Sequence, residues 1–168
     1  CRNYMHESYL MEFQSLIKDL LNNKNFNIIH GDPTFSNIII REIKNEAIFI
    51  DPRGYFGAKK LFGDPLYDFA KLYYSLNGNY DNFNQKKFVL KIYENEVQYF
   101  ILDSQWTGLT PILKNKLGDQ FYKIKIIHFL IWLSLTGYVL EDYDAVLTSF
   151  YRGLWLIEEY IQNPEKIK

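Results

Sequence analysis

The sequence predicts an α+β fold that is mostly helical. Apolar residues recur at helical spacing over most of the chain. Only the β-branched runs 38–40 and 47–50 flank a polar turn as a hairpin would. The 168 residues are 48% hydrophobic and 18% aromatic, and a chain of this length buries roughly 70% of its unfolded surface. One lobe, 1–168, is therefore expected.

Residues 4–22 read as a helix, with Leu10, Phe13, Ile17, Leu20 and Leu21 on one stripe, ended by Asn22-Asn23-Lys24-Asn25. Residues 26–30 read as a short strand. His30-Gly31-Asp32-Pro33-Thr34-Phe35-Ser36-Asn37 is a loop by composition. Strand 38–40, turn 42–46 and strand 47–50 follow. Asp51-Pro52 ends the second strand, since proline offers no ladder donor. Residues 53–62 are a loop. Asp64-Pro65 opens a helix as N-cap acid and first-turn proline, with Leu66, Phe69, Leu72, Tyr73 and Leu76 inward and Gly78 as its stop. Residues 84–102 read as helical, with strands at 88–90 and 99–102 as the alternative. Residues 107–111 read as a loop, and 119–140 as a long apolar helix. The last helix, 144–162, has Asp144 as N-cap and Val146, Phe150, Leu154, Ile157 and Ile161 inward, and Pro164 ends it. Trp132 and Trp155 are expected in the core.

Charge excludes little. There are 19 basic and 20 acidic residues, and no basic stripe marks a nucleic-acid surface. Cys1 is the one cysteine, which fits a reducing, cytoplasmic setting. No apolar leader is visible at the N-terminus. The longest uncharged stretch, 126–140, is shorter than the ~20 residues that span a bilayer. Neither nucleic acid nor membrane is expected as a partner.

The chemistry concentrates between residues 30 and 51. With a hairpin turn centred on Lys44, 38 faces 50, 39 faces 49 and 40 faces 48. Asn37 and Asp51 then stand opposite each other at the open end, where cross-strand neighbours lie ~4.5–5.5 Å apart. Asp32 is one loop away. An acid, an amide and a second acid beside apolar strands are costly without a role.

His-x-Asp, an Asn five positions later and an acid after an apolar strand resemble the catalytic set of the protein-kinase-like fold. With Gly31 in the middle, the set resembles the aminoglycoside phosphotransferase and choline kinase family. Asp51-Pro52 and Tyr55-Phe56-Gly57 are similar to small-molecule kinases such as the fructosamine and methylthioribose kinases. Gly63-Asp64-Pro65-Leu66-Tyr67-Asp68-Phe69-Ala70 resembles the family's next motif. The matches cover 30–70.

The resemblance implies the C-terminal lobe of a kinase-like fold, its hairpin carrying the catalytic and metal residues. It implies transfer of a phosphoryl group from ATP to a hydroxyl of a sugar, amino sugar or amino alcohol. Asp32 would take the hydroxyl proton, and Asn37 and Asp51 would hold Mg2+ under the ATP phosphates. His30, Asp64 and Asp68 would support the loop. Pro33 stands where the family has an aliphatic residue, Thr34 where a second His is frequent, and Pro52-Arg53-Gly54 where protein kinases have Phe-Gly.

The family also has an N-terminal lobe with a glycine-rich loop and a strand lysine. Nothing before residue 26 is glycine-rich. The expectation is that this ATP-clamping lobe is missing from the chain and that the chain alone is inactive.

Plainer roles stand beside these. Asp32 could be a turn acid, Asn37 a cap, Asp51 a strand end and Asp64 only an N-cap. Asp68 could bond loop amides or merely occupy a first turn. His128 reads as a satisfied core histidine. Two other functions compete: a non-catalytic kinase-like binding module, and a metal-dependent phosphoesterase using His30, Asp32, Asp51 and Asp64.

Overall fold

The computed structural model describes residues 7–21, 26–55, 58 and 60–163. The expected helix at 4–6, its stop at 22–25, Phe56-Gly57 and Pro164 lie outside them. The fold is mixed α+β and mostly helical, with small two-stranded sheets. The chain divides into two units: 1–23, 88–100 and 119–168 form one, and 24–87 with 101–118 form the other.

The first unit holds α1 (Glu7–Leu21), α5 (Phe121–Leu135), α6 (Tyr143–Gln162) and the hairpin of β5 (Phe88–Ile92) with β6 (Val97–Ile101), whose last residue belongs to the second unit. Residues 84–102 are therefore not a helix; the strand alternative holds. Burial alternates along β6, which is the two-residue period of a pleated strand. Helix α5 is apolar around its circumference, and Phe121, Ile124, Ile126, Phe129 and Trp132 are buried. It ends at Leu135, short of the expected 140, where Thr136 and Gly137 turn back on it.

The cap of α6 is Asp142, not Asp144: the Asp142 carboxylate accepts the Ala145 N–H at 2.9 Å. Its inward face also differs from expectation. Ala145, Thr148, Ser149, Gly153, Leu156, Ile157 and Tyr160 are buried, while Phe150 is 41% exposed. Small residues hold the inner positions of its first half because α6 lies against α5, and of the expected inward residues Ile157 is buried. A Cβ built on Gly153 would come within 2.6 Å of Leu133 Cδ2. Trp155, expected in the core, is 47% exposed and carries Arg152 over its ring at 5.2 Å. His128 is fully buried and accepts the Trp132 indole N–H at 2.9 Å.

The second unit holds β1 (Asn27–Ile28) paired antiparallel with β4 (Phe62–Gly63), β2 (Ile38–Arg41) with β3 (Glu46–Phe49), α2 (Pro65–Leu76), α3 (Tyr80–Asn84) and α4 (Thr110–Leu117). The expected loop at 107–111 is instead a 3-10 turn, Trp106–Leu109, running into α4. Pro111 lies in the helix's first turn, where its missing N–H costs nothing. Helix α2 begins on Asp64, whose side chain accepts the Leu66 N–H at 2.9 Å.

The β2–β3 register departs by one residue from the sequence expectation. Ile38 pairs with Phe49, Ile39 with Ile48, Ile40 with Ala47 and Arg41 with Glu46. The link is Glu42–Lys44 as a 3-10 turn plus Asn45 in the left-handed region at φ 50°. Its midpoint thus falls between Ile43 and Lys44, not on Lys44. Asn37 lies opposite Ile50, whose N–H it receives at 3.0 Å, and Asp51 lies one residue beyond. A one-residue slip exchanges the two faces of a strand, so direct opposition of Asn37 and Asp51 is ruled out.

Candidate active-site loop

Loop 30–37 is held from one side by a polar stripe of α2. Asp68, Lys71 and Ser75 are spaced i, i+3 and i+7, which puts them on one helix face. They meet the loop in chain order. The Asp68 carboxylate accepts the backbone N–H of His30 and of Gly31, each at 2.8 Å. Lys71 Nζ is 2.9 Å from Asp32 Oδ1. Ser75 Oγ accepts the Phe35 N–H at 3.0 Å. Asp81, in the first turn of α3, continues the series by accepting the Ser36 N–H at 2.9 Å. Hydrogen bonds to a charged acceptor are stronger than neutral ones, so two acids fix the ends of the loop.

The loop is tied equally to the segment after β3. His30 Nε2 donates to the Ile50 carbonyl at 3.0 Å, and the Arg53 N–H donates to the His30 carbonyl at 2.8 Å. Gly31 has φ 80°, and a Cβ there would meet Arg53 Cβ at 2.9 Å. Conformation and space both require glycine. These ties bring residues 30–32 beside 50–53. Asp51 itself is at φ 54°, a left-handed conformation that aspartate tolerates better than most residues.

Within the loop, Asn37 Nδ2 donates to the Asp32 carbonyl at 2.9 Å and approaches Asp32 Oδ2 at 3.4 Å. Its amide oxygen is left as an acceptor. Asp32 is half-exposed, with Oδ1 buried against Lys71. Asp51 is exposed and has no hydrogen bond or ion pair among the described residues. Pro33 and Thr34 are buried beneath.

Among the described residues, no three His, Cys, Asp or Glu side chains group as a metal site. The Asn37 amide oxygen and the Asp51 carboxylate offer two hard oxygen donors. That suits an ion such as Mg2+, which keeps several waters and takes few protein ligands. A cleft of about 380 Å3, mainly apolar, lies behind the loop, lined by Ile29, His30, Pro33, Phe49, Asp68 and Phe69 among others.

Asp32 and Asn37 are therefore in contact, and His30 and Asp68 hold the loop. Asp64 caps α2, the helix that carries Asp68 to the loop. Lys71, Ser75 and Asp81 were not singled out from sequence. Lys71 and Ser75 follow from Asp68 by helical spacing, a signal that was present. Asp81 required knowing that α3 forms.

No protein-family model matches the chain, and neither a search of characterised proteins nor one of solved structures returns a match. No helix among the described residues is long and apolar enough to cross a membrane.

Proposed function

We propose that the chain is the catalytic-loop lobe of an ATP- and Mg2+-dependent phosphotransferase acting on a hydroxyl of a small molecule, a sugar, amino sugar or amino alcohol. The observation that carries this reading is the Asp68 clamp on two successive loop amides, together with the His30–Ile50 bond. A turn acid with no role needs neither. The clamp fixes the backbone that presents Asp32 and Asn37, and the bridge keeps Asp51 close to them in the chain's path. Phosphoryl transfer depends mostly on positioning and charge neutralisation, which such a loop supplies.

In this reading Asp32 takes the acceptor proton on Oδ2, because Oδ1 is engaged by Lys71. Asn37 turns its amide oxygen, and Asp51 its carboxylate, to the metal. Bound Mg2+ would neutralise phosphate charge. The resemblance calls for a lobe that covers the phosphates, and we assign it to polypeptide outside residues 1–168.

The test is titration of Mg-ADP into the chain, with an ATP-turnover assay on the longest polypeptide containing it. Expected are Mg2+-dependent binding that Asp51→Asn weakens and acceptor-dependent ATP consumption. Nucleotide binding indifferent to Mg2+ and to Asp51→Asn would refute the metal assignment.

The Lys71–Asp32 ion pair favours one second reading, a non-catalytic kinase-like module, since the ammonium at 2.9 Å occupies an oxygen of the residue that would take the proton. Binding without turnover in the longer polypeptide would select it.

A further inference from the structure

Lys71 makes a local arrangement that the proposed chemistry does not use. Its side chain is 12% exposed, and its ammonium contacts Asp32 Oδ1 at 2.9 Å. The same ammonium lies 5.2 Å from the Tyr74 ring centre and 5.8 Å from that of Tyr80. The two rings stack on each other at 4.3 Å with 22° between planes. A cation within about 6 Å of a ring face is attracted by the ring quadrupole, the attraction by which aromatic sites bind quaternary amines. The Asp32 carboxylate and the stacked pair of rings thus form a cation subsite beside the loop, and the chain fills it with its own lysine. Both tyrosines remain neutral phenols: burial first, and Asp32 nearby, raise Tyr74 well above 10 and Tyr80 to about 12. The lysine therefore meets neutral rings, not phenolates.

Resting on the phosphotransferase reading, we propose that Lys71 is the resident cation of the acceptor site, positioning Asp32 and excluding amines, so that the acceptor is an uncharged sugar or polyol. An amino alcohol or amino sugar entering this subsite would need the Asp32 carboxylate free. Asp32 is already paired with Lys71. The nearby Asp81 spends one oxygen on Ser36, and its other oxygen is buried from solvent. An anionic acceptor gains nothing from Lys71 either, because the charge of that lysine is balanced by Asp32.

Tetramethylammonium tests the subsite without requiring catalysis. Titrated into the full chain and followed by NMR, it should leave the Tyr74 and Tyr80 ring signals unmoved at millimolar concentration. Lys71→Ala should bind it at least tenfold more tightly, and adding Asp32→Asn should reverse the gain. Movement of the wild-type Tyr74 and Tyr80 signals at millimolar concentration would overturn the proposal, whether or not the variant folds. So would a folded Lys71→Ala protein that gains nothing. In the turnover assay, uncharged polyols should be phosphorylated in preference to choline, ethanolamine, amino sugars and sugar phosphates. A charged acceptor used best would overturn the substrate class. Turnover with no acceptor of any kind, beside the expected tetramethylammonium result, would remove the phosphotransferase reading and the acceptor class but leave the lysine-filled subsite standing.

Discussion

The helix pair α5–α6 and the loop 30–37 treat polarity in opposite ways. Between the helices, buried polar side chains are neutral: Thr148, Ser149 and His128. Around the loop, acids and a lysine are joined to backbone amides or to each other. The first arrangement gives stability through close fit. The second holds a polar backbone in one shape, which burial of apolar surface alone cannot do because that force has no direction. In the proposed reading the loop carries the chemistry, whereas the helix pair contributes only stability, and mutation should separate the two.

The largest expected effect is on Asp32, and it falls on rate. In the active polypeptide, Asp32→Asn should lower turnover about 100- to 10,000-fold, or about 3–5 kcal/mol of barrier. Nucleotide affinity should barely change. Asp51→Asn should weaken Mg-nucleotide binding as well, since it removes a charged metal ligand. Measured side by side, identical behaviour of the two variants would show that the division of labour is wrong.

Next is Asp68. Asp68→Ala removes a charged acceptor from two backbone N–H groups, and bonds of that kind contribute roughly 1.5–3 kcal/mol each. With the site half-buried, a loss of about 3 kcal/mol is expected in chemical denaturation. Amide exchange should rise sharply at His30 and Gly31 and remain low in α5 and α6. Uniform acceleration across the chain would mean that the clamp holds the fold and not specifically the loop.

On the helix side the sensitive position is Gly153. The added Cβ of Gly153→Ala would lie 2.6 Å from Leu133 Cδ2 and 3.3 Å from the Leu133 backbone N. The side chain can shift, but the backbone limits how far. Overpacking of this kind costs about 1–3 kcal/mol. Thermal denaturation should show the loss, while Mg-nucleotide binding at the loop stays within twofold. A neutral substitution would show that α6 is free to move off α5.

Much of this contrast was legible in the residues. Helix α2 could be read to its ends because Asp64-Pro65 is strong local chemistry. The contents of loop 30–37 were visible because Gly31, Pro33 and the polar run break both periodicities. The hairpin register was not: it depends on whether the turn between apolar runs holds an odd or an even number of residues, and Asn45 in a left-handed conformation decided that. On α6 the expectation of large apolar residues inward holds at Ile157 but not at Phe150, because a close helix contact selects Gly153, Ala145 and Ser149. Strands 88–92 and 97–101 were ambiguous, as short runs rich in both β-branched and long apolar side chains always are. Lys71 escaped notice because its importance comes from what faces it, Asp32, Tyr74 and Tyr80, which the sequence alone does not bring together.

The smallest effect concerns His128, and it is a matter of pH. Burial first, and then the nearby positive charge of Arg152, hold its imidazole well below the usual 6.5. Folded, it remains neutral and accepts the Trp132 N–H. Unfolded, it takes up a proton near pH 6.5. Between those two values the unfolded chain binds more protons than the folded one, so stability rises with pH. The contribution is therefore complete above about 6.5 and is lost progressively as pH falls toward the depressed folded value. One such proton changes stability by at most about 1.4 kcal/mol per pH unit. His128→Gln keeps an acceptor for Trp132 and removes the titration. The wild-type protein should lose about 1 kcal/mol more than the variant between pH 7.5 and 5.5 in urea denaturation. If both lost the same, the proton taken up on unfolding would belong to another group, and His128 would have to be charged or solvated in the fold, contrary to its burial.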